Sequence, residues 1–158
     1  MTTLAPVSPV LNRYRTLSRL PLGSKAFDVA LALFAPFNAV FGIGVDALEP
    51  GYARTSVRDR RLRQNHLGTV HAAALAGCCE ITGNLAVSTV LPEGASFVVR
   101  RLSVEYEKKA RGTLGVVCSF EPRDFVHGDE VELEVMVHDA SGARVARATS
   151  LVRIRGPR

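Results

Sequence analysis

Residues 64–92 read QNHLGTVHAAALAGCCEITGNLAVSTVLP. With the two histidines neutral, this stretch carries one formal charge, Glu80, and its first half is dense in Ala and Gly. Strong helix formers and few β-branched residues over 72–81 predict a helix, and side chains this small let a sheet or a second backbone approach closely. Such a helix belongs in the interior. The elements on either side must supply the layer that covers it.

Downstream, four strand-like segments follow at about 96–108, 113–121, 130–139 and 145–154. Alternation is cleanest where Val131, Leu133, Val135 and Val137 oppose Glu130, Glu132, Glu134 and His138, one face packed and the other wet. Asp139-Ala140-Ser141-Gly142 supplies a hairpin turn, and Arg147, Arg153 and Arg155 are expected to face the Glu row across the strands. Upstream, segments 40–48 and 52–60 flank the Glu49-Pro50-Gly51 turn as a second hairpin. Pro6 and Pro9 punctuate the opening. The spacing over 10–20, with Arg13, Arg15 and Arg19 among Leu11, Tyr14, Leu17 and Leu20, predicts an amphipathic helix. Ser24 is the expected cap of a second helix over 25–35 that ends near Pro36. The whole reads as an α+β protein: a helical extension over 1–38, then a domain over 39–158 whose antiparallel sheet wraps a central helix.

The chain has 158 residues, enough for one sizeable core and too few for two ordinary domains. Hydrophobic residues at 47% and charged ones at 22% exclude a disordered chain. The formal charge is +5, and since Lys25, Lys108 and Lys109 are the only lysines, 17 of the 20 basic residues are Arg, the side chain suited to forked phosphate contacts. Acidic residues are interleaved, Trp is absent and no aromatic-basic platform stands out, so nucleic acid is not the expected partner. Cys78, Cys79 and Cys118 lack CxxC spacing and read as reduced core thiols. No secretory signal pattern opens the sequence, which places the protein in the cytoplasm as an expectation. The apolar run from Val29 to Val45 is broken by Pro36, Asn38, Gly42 and Gly44, so no membrane span is expected.

Glu80 is where chemistry enters. A carboxylate on a buried helix must be paired, hydrogen-bonded or protonated, and the nearest charges in sequence are Arg63 and Glu93. Two readings stand: a nucleophile or general base, or an ordinary Glu that faces solvent or a distant Arg. The preceding Asn65-His66-Leu67-Gly68-Thr69-Val70-His71 favours the first. Gly68 permits a tight loop, and a helix starting near His71 offers the backbone N–H groups of Ala72 and Ala73 to an oxyanion. Eight residues separate Ala72 from Glu80, about 12 Å of helical rise, too far for both to touch one carbonyl carbon. Two chains with antiparallel central helices resolve this, as in a twofold dimer.

The pattern Asn65-x-x-Gly68-Thr69-x-His71, with Glu80 nine residues past the histidine, resembles the hotdog-fold acyl-CoA thioesterases, in particular the phenylacetyl-CoA thioesterase type and its bacterial relatives. That group carries Asn-x-x-Gly-x-x-His-Gly-Gly and a downstream Asp or Glu. The resemblance implies a hotdog fold over roughly 40–155. It implies further that Asn65 and the Ala72 amide polarise the thioester carbonyl, while Glu80 of a partner subunit attacks it or activates water. This sequence departs from the pattern in Ala72-Ala73 for the Gly pair, in Glu where many relatives have Asp, and in Val98 where some place a Ser or Thr.

His66 and His71 lack a third ligand at metal spacing, so no metal is expected; His66 borders the expected site, and His71 fixes the loop or helix start. His127 and His138 read as solvated. Thr82 and Asn84 are expected to bond locally or end the helix. Arg100, Arg101, Lys108 and Lys109, with Arg111, are candidates for a clamp on coenzyme A phosphates, or for a basic guard on a sheet edge. Phe27, Phe34, Phe37 and Phe41 read as core. The functional expectation is a thioesterase for a small or medium acyl group on coenzyme A or an acyl carrier protein, working as a homodimer or a tetramer and needing no cofactor besides the coenzyme A of its substrate. The alternatives are a non-catalytic acyl or acyl-CoA binding protein on the same fold, and a hotdog dehydratase or hydratase, whose His and acid context is not visible.

Overall fold

The computed structural model describes residues 8–157; Pro6 lies outside them. Helices α1 (Pro9–Ser18), α2 (Gly23–Phe34) and α3 (Asn38–Phe41) precede strands β1 (Ile43–Glu49) and β2 (Tyr52–Val57). A 3-10 turn at Arg61–Arg63 leads to helix α4 (Ala72–Ser88), followed by β3 (Ser96–Tyr106), β4 (Leu114–Ser119), β5 (Glu130–His138) and β6 (Arg144–Arg155). The strands form one antiparallel sheet in the order β1-β2-β4-β5-β6-β3. Wrapped around α4, this is the hotdog fold.

The α4 sequence is apolar nearly all round, which suits a helix enclosed by its own sheet. Its small residues set the approach. A Cβ on Gly83 would reach Leu133 and Val135 of β5 at 3.4 and 3.6 Å, while one on Gly77 would stand 2.4 Å from the Phe41 ring. Helix and sheet are also joined by a buried hydroxyl pair: Thr55 Oγ1 of β2 and Thr82 Oγ1 are 2.8 Å apart, and Thr82 donates to the Cys78 carbonyl at 2.7 Å. Thr82 and Asn84 therefore lie inside a helix that runs on to Ser88, because a hydroxyl bonded back to its own preceding turn and capped by a sheet partner does not compete with the backbone.

The alternation over β5 is realised, with Val131, Leu133, Val135 and Val137 buried. Of the arginines expected opposite the Glu row, Arg147 reaches Glu134 at 3.9 Å and Glu105 at 2.8 Å. Arg153 stands across from Glu130 in register without an ion pair, and Arg155 is paired with Ser96.

The N-terminal helices are keyed into this body. Ser8 caps α1 and donates to the Ser88 carbonyl at the end of α4. Tyr14 donates to the Asp46 carbonyl and meets Phe27 edge-on, and Asp28 accepts the Val45 amide at 2.8 Å. Ser24 is not the cap of α2. The helix starts at Gly23, preceded by Leu22 in a left-handed conformation, because a Cβ at Gly23 would overlap the Leu17 carbonyl that α2 abuts. Residues 40–42, expected as strand, belong to α3 and its glycine terminus, where Gly42 has φ +54. The phenylalanines divide. Phe27 is buried and Phe41 half-buried, whereas Phe34 and Phe37 are 88% and 72% exposed on the outer side of α2 and α3.

Candidate functional site

The loop before α4 is built by pairing its two ends. Gln64 and Val70 form an antiparallel bridge, the His71 amide donates to the Arg63 carbonyl at 2.7 Å, and the Asn65 amide donates to the Thr69 carbonyl at 2.9 Å. Gly68 turns the chain at φ +64 with open space around it. Asp59, set in an arginine-rich run and overlooked in the sequence, braces this loop: one carboxylate oxygen accepts from Gln64 at 2.7 Å and the other from the Gly112 amide at 3.1 Å.

Asn65 is half-buried, and its Oδ1 accepts three donors: the Leu67 amide at 2.9 Å, the Thr69 amide at 3.3 Å and the Thr69 hydroxyl at 3.1 Å. Three donors converging on one atom identify it as the carbonyl oxygen. The Nδ2 amine has no partner among the described residues and remains a donor. Thr69, a member of the motif, is only 4% exposed and bonds Asn65.

At the helix start, the Leu75 amide donates to the His71 carbonyl, and His71 Nδ1 accepts the Ala73 amide at 3.0 Å. That bond corrects the expectation of two free amides. Ala73 is occupied by the cap, and Ala72 N–H, at the first helical position, keeps no partner among the described residues. The Ala72 carbonyl accepts from Tyr106 at the end of β3, at 3.0 Å. Burial raises the Tyr106 phenol above its ordinary pKa, so the hydroxyl stays a donor. His66 and Gly68 are exposed on the loop.

Glu80 lies two turns along α4, half-buried, and its carboxylate has no ion pair or hydrogen bond among the described residues. The part of the helix surface left incompletely covered includes Ala72, Ala73, Ala76, Gly77, Glu80 and Asn84. Asn84, one turn beyond Glu80, has a buried Oδ1 without a donor, an acceptor that sequence reasoning assigned to local bonding. Ala72 and Glu80 lie on one unbroken helix, so the separation of about 12 Å stands.

The basic residues do not form one cluster. The Val70 amide bonds the Ala110 carbonyl, which sets Lys108 and Lys109, both exposed, beside the loop that holds Asn65. Arg100 and Arg101 stand at a bulge five or more residues before Tyr106, the end of β3, roughly 17 Å or more from that end on an extended strand, and Arg101 bonds Glu132 on the sheet's outer face at 3.2 Å. The length of extended β3 between them separates the two halves of the expected clamp. Among the described residues no group of three or more His, Cys, Asp or Glu is placed to hold a metal ion.

Similar folds recur among solved structures. The structural-genomics protein APC5556 is 25% identical, with 92% of this chain and 97% of that one covered and a TM-score of 0.79. A protein of unknown function from Pseudomonas aeruginosa, described as a probable thioesterase, is 23% identical over 78% of this chain and 89% of its own, with a TM-score of 0.70. A phenylacetic acid degradation-related protein from Ralstonia eutropha is 19% identical over 75% and 89%, with a TM-score of 0.67. No curated protein matches the sequence. Residues 23–154 match a family described as a domain of unknown function, from α2 through β6. The chain therefore belongs to that family, DUF4442, with a hotdog fold.

Proposed function

We propose that the protein is an acyl thioester hydrolase acting on a small or medium acyl group carried by coenzyme A or an acyl carrier protein, with each active site shared between two subunits of a homodimer. The observation that carries this reading is the saturation of Asn65 Oδ1 by three loop donors. It leaves Nδ2 and the unpaired Ala72 N–H as the free donors of one loop, at the head of the helix that bears Glu80. Two fixed donors of this kind suit the oxygen of a thioester carbonyl as it gains charge. The description of the Pseudomonas aeruginosa neighbour as a probable thioesterase supports the same reading.

In the water route, the Glu80 carboxylate of the partner subunit takes a proton from water as the water oxygen bonds to the carbonyl carbon. The resulting oxyanion is held by Asn65 Nδ2 and Ala72 N–H, and its collapse breaks the C–S bond, the thiolate taking up the proton. In the covalent route the same carboxylate attacks the carbon directly, collapse of the oxyanion breaks the C–S bond and releases the thiolate, which takes a proton from solvent, and water then hydrolyses the resulting anhydride to the free acid and the Glu80 carboxylate. Both routes need Glu80 to reach the other chain's loop. Lys108, Lys109 and Arg111 flank that loop and are the nearest cations for phosphate groups of the carrier, with Arg100 and Arg101 farther back along β3.

The test is Glu80→Gln, which keeps size and removes the base. Hydrolysis across an acyl-CoA panel is expected to fall about 10²–10⁴-fold with the dimer retained. Unchanged turnover in a clean preparation rejects the assignment.

A further inference from the structure

Among the described residues, seven of the eleven exposed large apolar side chains fall between Leu20 and Val40. Helix α2 buries Gly23 and Phe27 against the domain, while Val29, Leu33 and Phe34 stand 58%, 76% and 88% exposed on it. The patch continues past Pro36 to Phe37 and Val40. A helix that is apolar on both sides requires two covers, and the hotdog domain supplies one. This is the same apolar run that is broken too often to span a bilayer, and no helix among the described residues is long and apolar enough to do so.

The charges around the patch are mostly cationic, with Asp46 and Glu93 as the nearby acids. Over residues 8–45 the cations are Arg13, Arg15, Arg19 and Lys25, all exposed and free of ion pairs among the described residues. The single carboxylate of that segment, Asp28, bonds the Val45 amide. Arg13 and Phe34 line one open groove of about 650 Å³ between α1 and α2, which puts cation and aromatic ring on a common surface, with Glu93 as the groove's one acid.

We propose that the outer face of α2 and α3 is a peripheral docking surface for an anionic lipid bilayer. Leu33, Phe34 and Phe37 enter the boundary between headgroups and acyl chains, Arg13 beside Phe34 contacts lipid phosphates, and Arg15, Arg19 and Lys25 add attraction to the anionic surface at longer range. A second copy of the chain is the less suitable occupant, because a twofold contact through this face would bring two unpaired cationic sets together. The inference is independent of thioester hydrolysis. It does have a geometric consequence: Phe41, which meets Phe37 edge-on, packs on Gly77 one turn before Glu80, so the docking face adjoins the helix that carries the candidate carboxylate.

The test is flotation of the full-length protein with vesicles of phosphatidylcholine alone and of phosphatidylcholine mixed with phosphatidylglycerol, at low and high salt, alongside sedimentation equilibrium without lipid. The wild type is expected to float with the mixed vesicles, more weakly with the neutral ones, and to be released as salt rises. A Leu33→Ser/Phe34→Ser variant, with an unchanged thermal melt, is expected to lose about tenfold or more of this binding, since two exposed apolar groups no longer leave water. Arg13→Gln/Arg15→Gln/Arg19→Gln is expected to reduce mixed-vesicle binding to the neutral-vesicle level. Val126→Ser, an exposed apolar position in the β4–β5 loop, is the control and is expected to float as the wild type does. The proposal is overturned by no flotation with either vesicle, by equal binding of wild type and the Leu33/Phe34 variant, or by equal loss in the control. It is also overturned if the Leu33/Phe34 changes lower the oligomeric state, which would assign the face to a second copy.

Discussion

His71 Nδ1 accepts the Ala73 amide at 3.0 Å, so an imidazole closes the first turn of α4 where a Ser, Thr, Asp or Asn is the usual cap. An acceptor at Nδ1 places the proton of the neutral ring on Nε2. The bond leaves Ala72 as the free amide of the turn, and it gives His71 a structural duty separable from chemistry. His71→Asn is expected to keep the cap, the stability and hydrolysis within a few-fold, whereas His71→Ala is expected to lower stability by about 1 kcal/mol. Urea unfolding and an acyl-CoA assay on the two variants check both statements.

Thr55 and Thr82 bind helix to sheet through hydroxyls 2.8 Å apart, each essentially inaccessible to water. Thr55→Val should be mild, because Thr82 keeps its bond to the Cys78 carbonyl. Thr82→Val strands the Thr55 hydroxyl and should cost about 1–3 kcal/mol. The double substitution removes both polar groups and should recover part of that loss, which denaturation of the four species in a mutant cycle measures.

What the sequence made legible follows from patterns that are local. The α4 helix was visible because small residues surround one charge, and β5 because Val131, Leu133, Val135 and Val137 keep strict alternation against glutamates. What was hidden depends on tertiary partners. Asn38-Ala39-Val40-Phe41 becomes a helical turn beneath which Phe41 packs on Gly77, and nothing in those four residues announces it. Helix α4 passes through Thr82 because Thr55 lies across from it. Phe34 and Phe37 read as core because apolarity is written in the sequence and exposure is not. At the candidate site, Glu80 and the amides of the helix start are legible in the residues and Asn65 in the family resemblance, but which amide is spent on the cap, and that Thr69 and Asp59 brace the loop, are facts of folded geometry.

Burial pushes the thiols of Cys78, Cys79 and Cys118 from 9.0 up to about 12, with neighbouring thiols adding to the effect at Cys79. Folded protein at pH 8 is expected to resist a disulfide-exchange reagent such as dithionitrobenzoate, and all three thiols should react once it is unfolded. The linkage has a definite sign. A folded-state pKa raised above the unfolded value means that the contribution is fully present below pH 9.0 and is lost as pH rises toward about 12. Thermal stability should decline across that window, and a Cys78→Ala/Cys118→Ala variant should decline less steeply. Melting curves at stepped pH decide it.

Asn65→Asp separates the two jobs of the loop asparagine. The aspartate retains an oxygen for the Leu67 amide, the Thr69 amide and the Thr69 hydroxyl, yet replaces the Nδ2 donor with a negative charge where an oxyanion would form. Stability should hold while turnover falls about 10²–10³-fold, the usual cost of one oxyanion donor. Combined with Glu80→Gln, the variant also tests subunit sharing. If Asn65 and Glu80 of one site come from different chains, a hybrid of the two variants holds one site with both defects and one with neither. Each homodimer is then nearly inactive, the hybrid works at one of its two sites, and random mixing of equal subunits should restore about a quarter of wild-type activity. Subunits exchanged by refolding and assayed against the unmixed variants read this directly. A mixture no more active than its parents would place both residues of a working site on a single chain, which the 17-residue span of α4 does not permit without bending the helix between Ala72 and Glu80.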